Sequence, residues 1–164
     1  MYGLTRPRVA VVVVVLALAV VTLLSACAAP PPPVYKVGDT ITSGNWRYTV
    51  TGVSDSKTVP YSDFGNTFEA KGVWLIVDLT IENIGNETSA INTWDFEVKD
   101  GAGTTYSTAF ESISYSSYKK SAAPGDQLPP NVPVSIALLY DVDPAASGFS
   151  LSLRQAGVTV QARR

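Results

Sequence analysis

The chain has 164 residues, a formal net charge of −2, no histidine and a single cysteine. That inventory excludes a disulfide within the chain, a histidine-ligated metal centre and the usual neutral-pH general base. A weakly acidic balance also argues against nucleic acid as a partner, and the length suits one domain behind an N-terminal segment.

Arg6 and Arg8 open the chain as a short basic region, and residues 9–24 are apolar except for Thr22. Leu24-Ser25-Ala26-Cys27 closes that run. This is the plan of a secretory signal, and its last four residues resemble the lipobox of bacterial lipoproteins. The resemblance implies cleavage between Ala26 and Cys27, a diacylglyceryl thioether on Cys27, and usually acylation of the new N-terminus. It implies a protein held in the bacterial cell membrane or envelope by its lipid, on the extracytoplasmic side. A second reading stays open. Residues 9–29 form twenty-one positions without charge, enough to span a bilayer uncleaved. The mass of the mature N-terminus separates the two.

Ala28 and Ala29 lead into Pro30, Pro31, Pro32 and Pro33. Four prolines favour polyproline II and make a spacer of roughly 12 Å. The expected organisation is a signal over residues 1–26, a lipidated cysteine with a Pro-rich tether over 27–35, and a folded domain over 36–164.

Beyond the tether the apolar period is two. Trp46, Tyr48 and Val50 alternate with polar residues. The strongest predicted strand covers residues 73–83, with Val73, Leu75, Val77, Leu79 and Ile81 on one face and Asp78, Thr80 and Glu82 on the other. Trp74 and Ile76 begin that second face. Trp94, Phe96 and Val98 form another inward set, then Val134, Ile136, Leu138 and Tyr140. Leu151 with Leu153, and Val158 with Val160, predict a closing pair. Gly38-Asp39, Gly44-Asn45, Gly85-Asn86, Gly101 to Gly103 and Gly125-Asp126 supply the turns between them. No stretch after Pro33 reads as an amphipathic helix. The pattern predicts an all-β, antiparallel, immunoglobulin-like β-sandwich, without the immunoglobulin Cys…Trp…Cys signature.

The order of these pieces resembles the bacterial extracellular family known as domain of unknown function 4352. Gly38-Asp39 is similar to its opening turn, and Trp46, Tyr48, Val50 and Val53 to the following strand. Gly72, Trp74 and the run into Asn83-Ile84-Gly85-Asn86 are similar to its most recognisable stretch. Phe96, Val98, Asp100, Gly101 and Tyr106 resemble its hairpin, Pro124-Gly125 a later turn, and Tyr140-Asp141-Val142 its final strand. Asp143 departs from the family's Asp-Val-Pro ending, and no glycine precedes that strand over residues 128–133. The resemblance implies a sandwich like that of secreted mycobacterial immunogenic proteins, and it implies no activity.

Chemistry has few residues to use. Asp95 with Glu97, and Asp141 with Asp143, are the carboxylate pairs that a hydrolase would need. The same acids with Asp100 are the oxygen donors a calcium site would need, although no spacing motif organises them. No catalytic residue, cofactor or metal ligand is otherwise expected. Two segments offer contact surface: Tyr115 and Tyr118 among the serines of residues 112–120, and Tyr61, Phe64 and Phe68 within residues 61–68. For both, packing of the aromatics over a sandwich edge is the alternative. Trp46, Trp74 and Trp94 are expected in core or rim positions. Asn86-Glu87-Thr88 marks a surface turn. The expectation is a membrane-anchored binding module with an envelope or surface protein as partner. Its alternatives are a passive structural or accessory subunit of an envelope complex, and a carboxylate-dependent hydrolase.

Overall fold

The structure is a computed structural model describing residues 34–153 and 158–161. The signal, Cys27 and the four prolines lie outside the described residues, whereas Val34 and Tyr35, the last two positions of the expected tether, belong to the first strand of the domain. Among the described residues, no helix is long and apolar enough to cross a membrane.

Two sheets form the sandwich. One has the strand order β1 (Val34–Lys36), β11 (Val158–Gln161), β10 (Ser150–Leu153), β6 (Phe96–Lys99), β7 (Thr105–Ser107). The other runs β2 (Thr40–Ser43), β3 (Trp46–Pro60), β4 (Thr67–Asn83), β9 (Pro133–Val142). A small pair, β5 (Ser89–Ala90) and β8 (Gln127–Leu128), closes one end. All ladders between neighbouring strands are antiparallel except β1 with β11, which is parallel.

Alternation in the sequence sets the faces. Ile41, Tyr48, Val50, Leu75, Leu79, Ile136 and Tyr140 point inward from the four-stranded sheet to meet Phe96, Val98, Phe149, Leu151 and Leu153. Burying each large aliphatic chain contributes about 1.5–3 kcal/mol. The predicted strand at 73–83 is longer than its apolar run, because β4 begins at Thr67 and forms a hairpin arm with β3. The 158–161 strand pairs with β10 as the closing element.

Asn83, at the end of β4, is buried and fully engaged. Its Nδ2 donates to the Glu87 carbonyl (2.7 Å) and the Leu128 carbonyl (3.0 Å), while its Oδ1 accepts from the Gly85 amide (3.0 Å). One side chain thereby ties the 83–88 turn to β8.

Two expectations fail. A helix, α1 (Ser112–Tyr118), lies where no helix is expected. Its buried positions are Ser112, Tyr115 and Ser116, which keep the i, i+3, i+4 spacing of a helix face. The period is present but written mostly in serine, so it gives little apolar signal. Trp94 is the other. A 3₁₀ turn over Thr93–Asp95 precedes β6 and breaks the strand alternation, leaving Trp94 68% exposed.

Candidate functional site

Four of the five acids that the sequence offers for hydrolysis or calcium accept from backbone amides at turns and bends, and the fifth, Glu97, stands on β6 opposite Ser107 and Ser152. Asp95 lies in the 3₁₀ turn rather than on a strand face with Glu97, and its Oδ2 accepts from the Asn92 amide (3.3 Å). Asp100 accepts from the amides of Ala102 (3.0 Å) and Thr104 (2.8 Å) and from the Tyr106 hydroxyl (3.0 Å). Desolvation alone would raise its pKa, but the donors of Thr104, Tyr106 and Ala102 outweigh that and hold the carboxyl below its ordinary value. Asp143 takes the Ala145 amide (2.8 Å).

Asp141 has the most demanding place. Its two oxygens accept from the amides of Lys71 (3.0 Å) and Gly72 (2.8 Å), where β4 bends into the hairpin arm. On the β3 side of the same bend, the Lys57 ammonium donates to the carbonyls of Ala70, Lys71 and Gly72. A carboxylate satisfies the amides and an ammonium satisfies the carbonyls of one irregular segment. Only glycine fits at position 72, since a Cβ there would lie 2.0 Å from the Val142 carbonyl oxygen. Among the described residues, no group of three or more acidic or cysteine side chains is arranged to hold a metal ion.

The tyrosine–serine segment is built into the sheet. β9 pairs with β4 along one edge, which leaves its other edge in need of partners. Residues 109–122 supply them. The Ala109 amide donates to the Leu139 carbonyl (2.8 Å), and the Leu139 amide donates to Ser112 Oγ (2.9 Å). Ser116 Oγ donates to the Ala137 carbonyl (3.0 Å), and the Ala122 amide to the Ser135 carbonyl (2.8 Å). Tyr115 is buried with Val59, Trp74, Ile76 and Leu139 on the outer side of the four-stranded sheet. Tyr118 is partly exposed.

The hairpin arm carries the other aromatic set. Tyr61 and Phe68 stack with ring centroids 4.2 Å apart, whereas Phe64 at the turn is 94% exposed. Trp46 and Trp74 are buried.

A concave polar space that the sequence did not reveal lies beside α1. It occupies about 450 Å³ against the outer side of β3, β4 and β9, and its polar walls include Thr51, Asp78, Lys119, Lys120, Ser121 and Ser135. Lys119 Nζ lies 3.1 Å from Asp78 Oδ1 and 5.7 Å from the centre of the Tyr115 ring. Desolvation alone would lower the Lys119 pKa, but the Asp78 contact outweighs it and raises the value.

This architecture, with its single long β4 strand running into Asn83-Ile84-Gly85-Asn86, coincides with a match to the family described as "Domain of unknown function (DUF4352)" over residues 35–163. The chain belongs to that family. Solved structures agree with this DUF4352 fold. The yjhA protein from Bacillus subtilis is 24% identical with a TM-score of 0.53, the match covering 71% of this chain and 78% of that one. An uncharacterized β-sandwich protein from Clostridium difficile 630 is 14% identical at a TM-score of 0.56, covering 83% and 99%. The secreted protein MPT63 from Mycobacterium tuberculosis is 13% identical at a TM-score of 0.54, covering 82% and 100%. No curated protein matches the chain.

Proposed function

We propose that this DUF4352 domain is a non-catalytic binding module, carried outside the cytoplasm on a lipid attached to Cys27. The observation that supports it is the use of the acids. Asp95, Asp100, Asp141 and Asp143 all spend carboxylate oxygens on backbone amides that shape turns and bends. A general acid or nucleophile needs an oxygen aimed at substrate instead. What the surface offers is contact: an exposed Phe64 at a hairpin turn and a polar concavity beside α1. The signal-like leader supports the extracytoplasmic placement. MPT63, which shares the fold, is described as secreted.

Reversible crosslinking on intact cells producing the full chain, followed by purification through the domain, tests this reading. A discrete envelope component recovered with the full chain, and lost when surface residues but not the fold are altered, is the expected result. Recovery of nothing beyond what a Cys27→Ser control gives would overturn it. So would turnover of a glycosidic substrate that vanishes in Asp141→Asn.

A further inference from the structure

The outer side of the four-stranded sheet is divided. Trp74, Ile76, Ala137 and Leu139 are sealed beneath α1 and the hairpin arm, but the neighbouring rows are polar and open. Register places Thr40 opposite Thr49, Thr49 opposite Thr80, and Thr80 opposite Ser135. Their neighbours Ile41, Tyr48, Leu79, Ile81 and Ile136 face the core, so the four hydroxyls share the outer face. They form one row across all four strands at roughly 4.8 Å per strand. The 450 Å³ concavity adjoins the Ser135 end of that row. It lies within the roughly 300–1,000 Å³ range of small-molecule sites.

Charge in the concavity does not balance. Lys119 is matched by Asp78, whereas Lys120 has no ion pair among the described residues. Lys120 is also held in place by the end of α1. Its amide donates to the Ser117 carbonyl (3.1 Å), the Ser121 amide returns to the Ser116 carbonyl (3.0 Å), and its φ is +55°. This is a left-handed helix stop of the kind usually given to glycine. Lys120 therefore lines the concavity from a fixed backbone, next in the chain to Ser121 and in the same lining as Ser135. Leu79 and Ile136 also line the space, but their side chains belong to the core.

Resting on the binding-module reading, we infer that this concavity and the adjoining hydroxyl row bind a sugar bearing an anionic group, a phosphate or a carboxylate. The ammonium of Lys120 takes the anion, with Lys119 beside it. The Ser135 hydroxyl both donates to and accepts from the sugar, while Thr51 and Ser121, whose protons go to the Asp78 carbonyl (3.1 Å) and the Ser116 carbonyl (3.1 Å), accept from sugar hydroxyls.

The test uses the ¹⁵N-labelled full chain in detergent micelles, titrated with glucose 6-phosphate, glucuronate, glucose and inorganic phosphate. The expected result is saturable amide shifts at Thr51, Ser121 and Ser135 with a charged sugar, at least tenfold tighter than with glucose or phosphate. Whichever charged sugar binds more tightly identifies the anionic group. Lys120→Glu should weaken that binding at least tenfold. Lys120→Gly, which suits the left-handed backbone, should weaken it with the fold intact. Binding of both charged sugars no tighter than phosphate overturns the inference, as does wild-type affinity in both Lys120 variants. If crosslinking still recovers an envelope component through another surface, the concavity alone is refuted and the binding module stands.

Discussion

Removing the hydroxyls of Ser112 and Ser116 tests whether the tyrosine–serine segment completes the sheet. Both residues are fully buried. In Ser112→Ala the Leu139 amide loses its acceptor inside the protein, at a cost of about 1–3 kcal/mol. In Ser116→Ala the Ala137 carbonyl loses a donor, a cost of about 1–2 kcal/mol because an under-satisfied carbonyl is tolerated better than an orphaned amide. The double variant should therefore lose about 2–5 kcal/mol, a large part of the roughly 5–15 kcal/mol that stabilises a domain. Ser117→Ala is the internal control. Its exposed hydroxyl donates only to the Ile113 carbonyl one turn back, so its removal should change stability by less than about 0.5 kcal/mol. Urea unfolding of the full chain, followed by tryptophan fluorescence, measures all three. Hydrogen exchange at the Leu139 amide should accelerate in Ser112→Ala. If Ser112→Ala and Ser116→Ala both match Ser117→Ala, and that amide exchanges as in the wild type, the segment does not close the β9 edge.

Tryptophan positions give a second contrast: Trp74→Ala should cost about 3–5 kcal/mol as a buried residue, and Trp94→Ala less than about 0.5 kcal/mol, by the same urea midpoints. Gly72→Ala should destabilise by about 3 kcal/mol or prevent folding, because the new methyl meets the Val142 carbonyl at the bend of β4; a wild-type melting temperature would contradict the bend. Asp100 predicts a pH effect. Its folded pKa is depressed below 3.8, so its contribution is complete above that value and is lost as pH falls through the lower folded value. Stability measured from pH 5 to pH 2 should fall less steeply in Asp100→Asn than in the wild type, and parallel acid limbs would refute the assignment.

The sandwich was legible because strand period and burial coincide. Each of Leu75, Val77, Leu79 and Ile81 marks both an alternation and the core face. Trp74 and Ile76, on the opposite face, hinted that something covers the sheet there. The cover itself was hidden, since α1 writes its buried stripe with Ser112 and Ser116, whose task is to replace a missing strand's hydrogen bonds. Trp94 keeps the spacing of Phe96 and Val98 but sits in a 3₁₀ turn, where strand alternation no longer sets which side chains face the core. The acidic pairs were legible as residues but not as partners: only the folded chain shows that Asp141 reaches the amides of Lys71 and Gly72, some 70 positions away. The concavity left no sequence signal, because Thr51, Asp78, Lys120 and Ser135 are ordinary surface residues until register and the end of α1 bring them together.

Site-resolved photocrosslinking on intact cells tests the central claim most directly: that this domain binds, and that it binds through the outer side of its four-stranded sheet. A photoreactive residue replaces the exposed Pro133, two positions from Ser135 on the same face of β9, in one variant of the full chain and the exposed Ser117 on α1 in another. The account predicts an adduct from position 133 that glucose 6-phosphate or glucuronate suppresses, with none from position 117. Adducts from position 117 alone, or an adduct from 133 that neither sugar suppresses, would contradict it.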